Sequence, residues 1–264
     1  MATYTGTSAD DVLTGSSRAD TISGLEGDDS LLGEGGSDSI LGGEGEDTIE
    51  GGSGNDRIWG EEDADTVWGG SGNDSIWGED GDDLFVAGDG NDKLYGGEDS
   101  DQIWGEDDDD TISGEDGDDL LYGGEGDDVL IGGEGDDVFY IGRGDDDDEV
   151  QDDSGTEDAV CLYWGWDNAI SSGGTDYYEG VDPSDVSFDY DTSDRTVTLT
   201  IADGRDSGSG DDAEVTFDYG TIEYVYLYDF ASGGLTAMAD FGSYTVYEYA
   251  WNAATESFDY NGTV

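Results

Sequence analysis

The chain has 264 residues, with 71 Asp and Glu against 6 Lys and Arg, no histidine and a formal charge of −65. So few cations exclude nucleic acid as a partner, because nothing is on offer for phosphates. Without histidine, H-E-x-x-H zinc chemistry and Ser-His-Asp triads are excluded too, and no G-x-S-x-G elbow occurs. The first segment, MATYTGTSADDVL, has neither a basic nor an apolar region, so it does not read as a conventional signal peptide. No apolar run is long enough to span a bilayer, and membrane insertion is not expected.

From Gly6 to Tyr140 the chain is periodic. Fifteen units of nine residues follow one another without insertion. The sixth place is Asp throughout: Asp11, Asp20, Asp29, Asp38, Asp47, Asp56, Asp65, Asp74, Asp83, Asp92, Asp101, Asp110, Asp119, Asp128 and Asp137. The eighth place is always apolar, from Leu13 and Ile22 to Leu130 and Phe139. The first place is Gly in fourteen units, with Ala87 the exception, and the fourth is Gly in ten. Gly permits positive φ and close backbone approach. The last three residues of a unit suit a short strand, with the seventh and ninth side chains on one face and the eighth on the other. A single unit buries nothing alone, so stacked units must share a core of eighth-place residues. Strict register of this kind argues against the disorder that acidity would otherwise suggest.

A carboxylate at every sixth place, with no imidazole in the chain, selects hard cations, and flexible multi-oxygen coordination favours Ca²⁺ over Mg²⁺. Units such as GGSGNDRIW (51–59), GGSGNDSIW (69–77) and GGEGDDVLI (123–131) resemble the repeats-in-toxin nonapeptide, G-G-x-G-x-D-x-(apolar)-x, of hemolysin-type calcium-binding proteins. The resemblance implies an all-β parallel β-roll solenoid with two units per turn. It also implies Ca²⁺ held between turns on the same edge, so that Asp56 and Asp74 are neighbours in one stack and Asp65 and Asp83 in the other. Same-edge gaps set a ceiling of about thirteen ions. The first two units, with Thr7 and Ser16 at the second place, read as a polar cap. Asp63, Asp99 and Asp108 replace the fourth-place Gly, a substitution that Asp tolerates in left-handed geometry. Glu34, Glu61, Glu79, Glu106 and Glu115 at the second place are expected to face solvent.

Thirteen ions would still leave a charge of about −39. Residues 151–264 hold 24 of the acids against Arg195 and Arg205, and the only lysine is Lys93. This pattern resembles proteins of extreme halophiles, haloarchaea above all, in which concentrated salt screens the repulsion.

After Tyr140, FYIGRGDDDDEVQDDSGTEDAVCL (139–162) puts Asp148 where an apolar residue belongs. It resembles the closing segment of such repeat blocks, which implies that Asp146, with Asp152 and Asp158, completes a last ion site. Cys161 reads as a small buried apolar residue. Further on, Val181, Pro183, Asp185, Val186, Ile222, Glu223 and Asp229 match the pattern of the hemolysin-type calcium-binding-related domain that follows many repeat blocks. Alternation at Val186/Phe188/Tyr190, Val197/Leu199/Ile201, Val215/Phe217/Tyr219 and Tyr224/Tyr226/Tyr228 predicts strands, with Val246 and Tyr247 in another. The expected organisation is a roll over 1–149 and a small β-rich capping domain over 150–264. The tail ESFDYNGTV is consistent with an uncleaved export signal, which implies a secreted, extracellular or cell-surface protein.

Three functions fit, and none is enzymatic. One is a structural module that folds on binding calcium. A second is a polysaccharide-binding or adhesive surface built on two ninth-place aromatic rows, Trp59/Trp77/Tyr95 and Trp68/Val86/Trp104/Tyr122/Tyr140. A third is calcium-dependent self-assembly of the chain into a filament or surface layer.

Overall fold

In the computed structural model, the structure describes residues 1–141 and a series of strands beyond them, with side chains for 1–141, 148–151 and 159–160. The apolar eighth place and its flanking residues form strands as the period requires. The strands run further than the last three residues of a unit. Most have six residues, such as Arg57–Glu62 and Ser75–Asp80, and continue through the first three places of the next unit. Two inward rows result: the eighth-place residue and, two residues on, the first-place residue.

Strands alternate between two parallel sheets, so 18 residues make one turn. The first sheet takes Thr3–Thr5, Thr21–Glu26, Ser39–Glu44 and every second strand to Val129–Glu134 and Asp147–Gln151. The second takes Val12–Ser16, Ser30–Glu34, Thr48–Ser53 and so on to Val138–Ile141 and Ala159–Tyr163. The register is in phase, with Ile58 opposite Ile76 and Val67 opposite Phe85. This is an all-β solenoid of about eight turns. Its core is a single line of eighth-place side chains, fully buried from Ile22 to Phe139.

The glycine places answer to two different constraints. From Leu25 onward, every second-place and fourth-place residue has positive φ. Gly and non-Gly alike comply: Glu61 lies at φ 88° and Asp63 at φ 75°. The first place does not have positive φ. It is Gly because a Cβ there would run into the sixth-place carboxylate of its own unit and the backbone of the next turn.

Beyond the repeats, Asp147–Gln151 pairs in parallel with Ala213–Asp218, and Ala159–Tyr163 with Tyr224–Asp229. Antiparallel neighbours follow: Thr196–Ile201 and Val186–Asp191 in the first sheet, Thr245–Asn252 and Ser257–Thr263 in the second. All the strands expected from alternation are present. The tail contributes one more, Ser257–Thr263, paired through a bulge at Glu248/Tyr249. The Cys161 side chain lies outside the described residues.

Non-glycine residues at positive φ carry backbone strain of about 1–2 kcal/mol each. Glu61→Gly should therefore stabilise the protein by up to about 1 kcal/mol, the gain being offset by glycine's entropy. Gly70→Ala, at φ 110° with a Cβ directed into the Gly52 carbonyl, should cost about 2 kcal/mol or more. Denaturant titrations check both, and equal effects would contradict the strain argument.

Candidate metal centre

The sixth-place aspartates form two columns, one along each edge of the roll. Each main chain is tied to the next turn in both directions. The N–H donates to Oδ1 of the aspartate 18 residues on: Asp29 to Asp47, Asp56 to Asp74 and Asp65 to Asp83, each at 2.7 Å. The C=O accepts from the following turn, as when Ser75 N–H donates to the Asp56 carbonyl at 3.0 Å. Asp56 thus neighbours Asp74 in one column, and Asp65 neighbours Asp83 in the other.

Oδ2 has a different environment. From Asp29 to Asp119, at every ninth residue, this oxygen is buried and meets no hydrogen-bond donor. These side chains are at most 3 % exposed. The first-place glycines show what shares the space. A Cβ on Gly42 would meet the Asp47 carboxylate and the Gly60 carbonyl oxygen; on Gly96 it would meet the Asp101 carboxylate and the Gly114 carbonyl. A carboxylate oxygen and a main-chain oxygen of the next turn therefore converge where a side chain would otherwise stand.

A buried carboxylate oxygen without a donor needs a proton or a cation. Desolvation pushes Asp47, Asp56 and Asp119 up to about 6. It pushes Asp74, Asp83 and Asp92 to about 7, and Asp65, Asp101 and Asp110 to about 8. Asp29 and Asp38 are raised for the same reason. The N–H bond onto Oδ1 opposes the shift in each case. No group of three or more His, Cys, Asp or Glu side chains converges among the described residues. A cation in these columns must therefore draw on main-chain carbonyls as well as carboxylates.

The first two units solve the problem without an ion. The Thr7 N–H and hydroxyl donate to Asp11 Oδ2 at 2.6 and 2.9 Å. The Ser16 N–H and hydroxyl donate to Asp20 Oδ2 at 2.9 and 2.6 Å. The Ser16 hydroxyl, followed by the Ala2 N–H, holds Asp20 below the usual carboxylate range despite its burial. From the third unit on, the second place is Leu25, Glu or Gly, and no hydroxyl is available.

At the far end the register shifts. Asp128 N–H donates to Asp148 Oδ1 at 3.0 Å, across 20 residues instead of 18. Val150, fully buried, pairs with Leu130 and fills the core place. Asp148 is therefore a sixth-place residue after a two-residue insertion, and does not stand at the apolar position that unbroken counting assigns it. Asp146, Asp152 and Asp158 lie outside the described residues.

A second ladder accompanies the columns. Fifth-place side chains accept the N–H one turn on: Asp28 from Glu46 at 3.2 Å, Asp82 from Ser100 at 3.0 Å and Asp118 from Asp136 at 2.9 Å. Its sequence signal is an acid, Asn or Ser in every fifth place except Ala19 and Ala64. The two ladders run in opposite senses and hold each turn against its neighbours.

The raised carboxylates set the pH dependence of the metal-free roll. They ionise near 3.8 when exposed and only at about 6 to 8 in the fold. The folded state binds these protons more tightly. Their contribution to stability is full below 3.8 and is lost as pH rises through the folded values. Metal-free protein should keep its β-signal at mildly acidic pH and lose it toward pH 8, as followed by circular dichroism. A signal that grows with pH would contradict this.

The RTX calcium-binding nonapeptide repeat model matches the chain in four copies, over residues 5–40, 41–76, 77–112 and 113–148. No curated protein matches the chain. The four copies together span more than half of the 264 residues, and each coincides with two turns of the solenoid. On the repeat, the columns of aspartates and the matched residues, the chain belongs to the RTX calcium-binding nonapeptide repeat family.

Proposed function

We propose that the chain is an extracellular, non-enzymatic structural module that folds when calcium enters the aspartate columns, and that it is adapted to high salt. The observation that carries this reading is the series of buried Oδ2 atoms without donors at every ninth residue from Asp29 to Asp119. These carboxylates, with Asp128 and Asp137 continuing the columns, would hold Ca²⁺ together with carbonyl oxygens of the turns. The donors are hard oxygens in flexible backbone, as calcium prefers. Bound calcium supplies the positive charge that the buried carboxylates lack. Folding and binding are then one process: the chain stays unfolded where calcium is scarce and becomes a rigid roll outside the cell.

Asp11 and Asp20 stand apart from this set, because Thr7 and Ser16 already satisfy the relevant oxygen. They form an end cap that holds without an ion. Asp148 continues one column as its next sixth-place residue, and Asp146, with Asp152 and Asp158, is proposed to supply ligands of a last ion. Residues 150–264 are assigned the opposite end, where strands added to both sheets cover edges that would otherwise invite pairing with other chains.

The salt adaptation rests on a different group of acids. Along the first sheet, Glu26, Glu44, Glu62, Asp80, Glu98 and Asp116 follow one another in register. Strand spacing brings these like charges to within about 5 Å of each other at the backbone. They lie outside the aspartate columns, so calcium bound there leaves them charged. Screening reaches about 10 Å at 0.1 M salt and about 3 Å at 1 M, so only concentrated salt separates neighbours in this row.

Calorimetric titration of stripped protein in molar salt should give about eleven ions, with β-signal appearing as they bind. Asp74→Asn should remove one or two of them. Asp11→Asn should remove none. Equal losses in the two variants would refute the assignment. In saturating calcium, Glu44→Gln with Glu62→Gln should lower the salt concentration needed for folding. An unchanged salt midpoint would mean that the acidic row is irrelevant to it.

A further inference from the structure

The outer faces of the two sheets differ in what they offer. On the first, Trp59, Trp77 and Tyr95 are stacked, with centroids 4.9 and 5.7 Å apart and planes within 7°. Each ring covers its neighbour's face, so this row presents edges to solvent. Its outermost faces adjoin Leu41 and Ser113 in register. Arg57 and Lys93 stand exposed on the same side of the sheet.

The second sheet is organised otherwise. From Thr66 to Tyr140 its seventh- and ninth-place positions carry no charged side chain, although more than a quarter of the chain is acidic; Glu106 and the row Asp89, Asp107 and Glu125 flank them on one side. Trp68 is 40 % exposed and lies in register between Glu50 and Val86. Among the described residues no ring stacks on it. Trp104 follows two strands later, with Val86 between them. Two strand spacings are about 9.6 Å, comparable with the disaccharide repeat of an extended β-linked polysaccharide. Thr66 and Gln102, each two residues before its tryptophan, face the same way. Trp68 and Trp104 thus each stand beside a hydrogen-bonding side chain, two strands apart with Val86 in the gap, and Tyr122 adjoins Trp104 in register on the far side.

We propose that this strip binds a neutral, extended polysaccharide lying along the axis of the roll. Sugar rings stack on Trp68 and Trp104, and Thr66 and Gln102 exchange hydrogen bonds with hydroxyl groups. An anionic glycan is disfavoured by the −65 charge of the chain. A second copy of the chain is disfavoured by the same charge and by size. The uncharged strip measures about 24 Å by 7 Å, well short of the roughly 800 Å² per partner of a standard stable interface. The proposal rests on the calcium-ordered roll, because only paired strands hold the two tryptophans at this spacing.

The test uses the full chain in calcium and molar salt. Depletion onto insoluble cellulose and chitin, and affinity electrophoresis in a soluble β-glucan, measure binding. At least one should retain the protein. Trp68→Ala and Trp104→Ala should each weaken retention by about tenfold, and Trp59→Ala should leave it unchanged. Circular dichroism on the same samples separates this claim from the calcium reading: folded protein that binds none of the three overturns the strip alone. Equal loss in Trp59→Ala and Trp68→Ala also overturns it. So does a Trp68→Ala change in sedimentation without any change in retention, which would mark the face as an interface between copies.

Discussion

The roll depends on a carboxylate whose two oxygens have different fates. From Asp29 on, Oδ1 of the sixth-place aspartate is committed to the fold, accepting the N–H of the aspartate one turn before. That bond fixes the stacking distance and the register of the turns. Oδ2 is brought into the interior by the same geometry and left without a donor from Asp29 to Asp119. Burial of such an atom is unfavourable unless charge is removed or balanced. The rest of the repeat accommodates this one group. The first-place glycine leaves it room, the second and fourth places bend the backbone around it, and the eighth-place residue seals the core beside it.

The N-terminal units show the same constraint met by other chemistry. Thr7 and Ser16 place a hydroxyl against the oxygen that elsewhere has no donor. A neutral donor suffices for one or two turns near solvent. It is not repeated along the columns, where the second place is taken by the residues that the turn's positive φ selects or tolerates. Desolvation of the carboxylates is thereby graded along the roll, from an end satisfied by hydroxyl donors to a middle in which it is strongest.

Charge is also partitioned. One set of acids is buried in the columns and calls for cations held at fixed points. A second set is exposed in register along the first sheet from Glu26 to Asp116, outside those columns. Between them the seventh and ninth places of the second sheet carry no acid from Thr66 to Tyr140. A chain of −65 that spares these rows is uniform in composition but not in surface.

Much of this was legible in the sequence because period nine, doubled to eighteen, maps place in the unit directly onto place in the structure. The columns, the core line and the division of Trp59 and Trp77 from Trp68 between opposite sheets all follow from counting. Counting fails where the chain inserts two residues before Asp148, since only the pairing of Val150 with Leu130 reveals the new register. It also assigns the first-place glycine to the turn, when that residue belongs to a longer strand and faces inward. Composition by itself determined that the negative charge of this chain far exceeds what its own cations can balance. Only the tertiary structure decided which aspartate oxygen lacks a donor from Asp29 to Asp119, that Thr7 and Ser16 supply one at the N-terminal end, and which aromatic rings stack on one another. Those depend on distances between turns, which a linear repeat implies but does not contain.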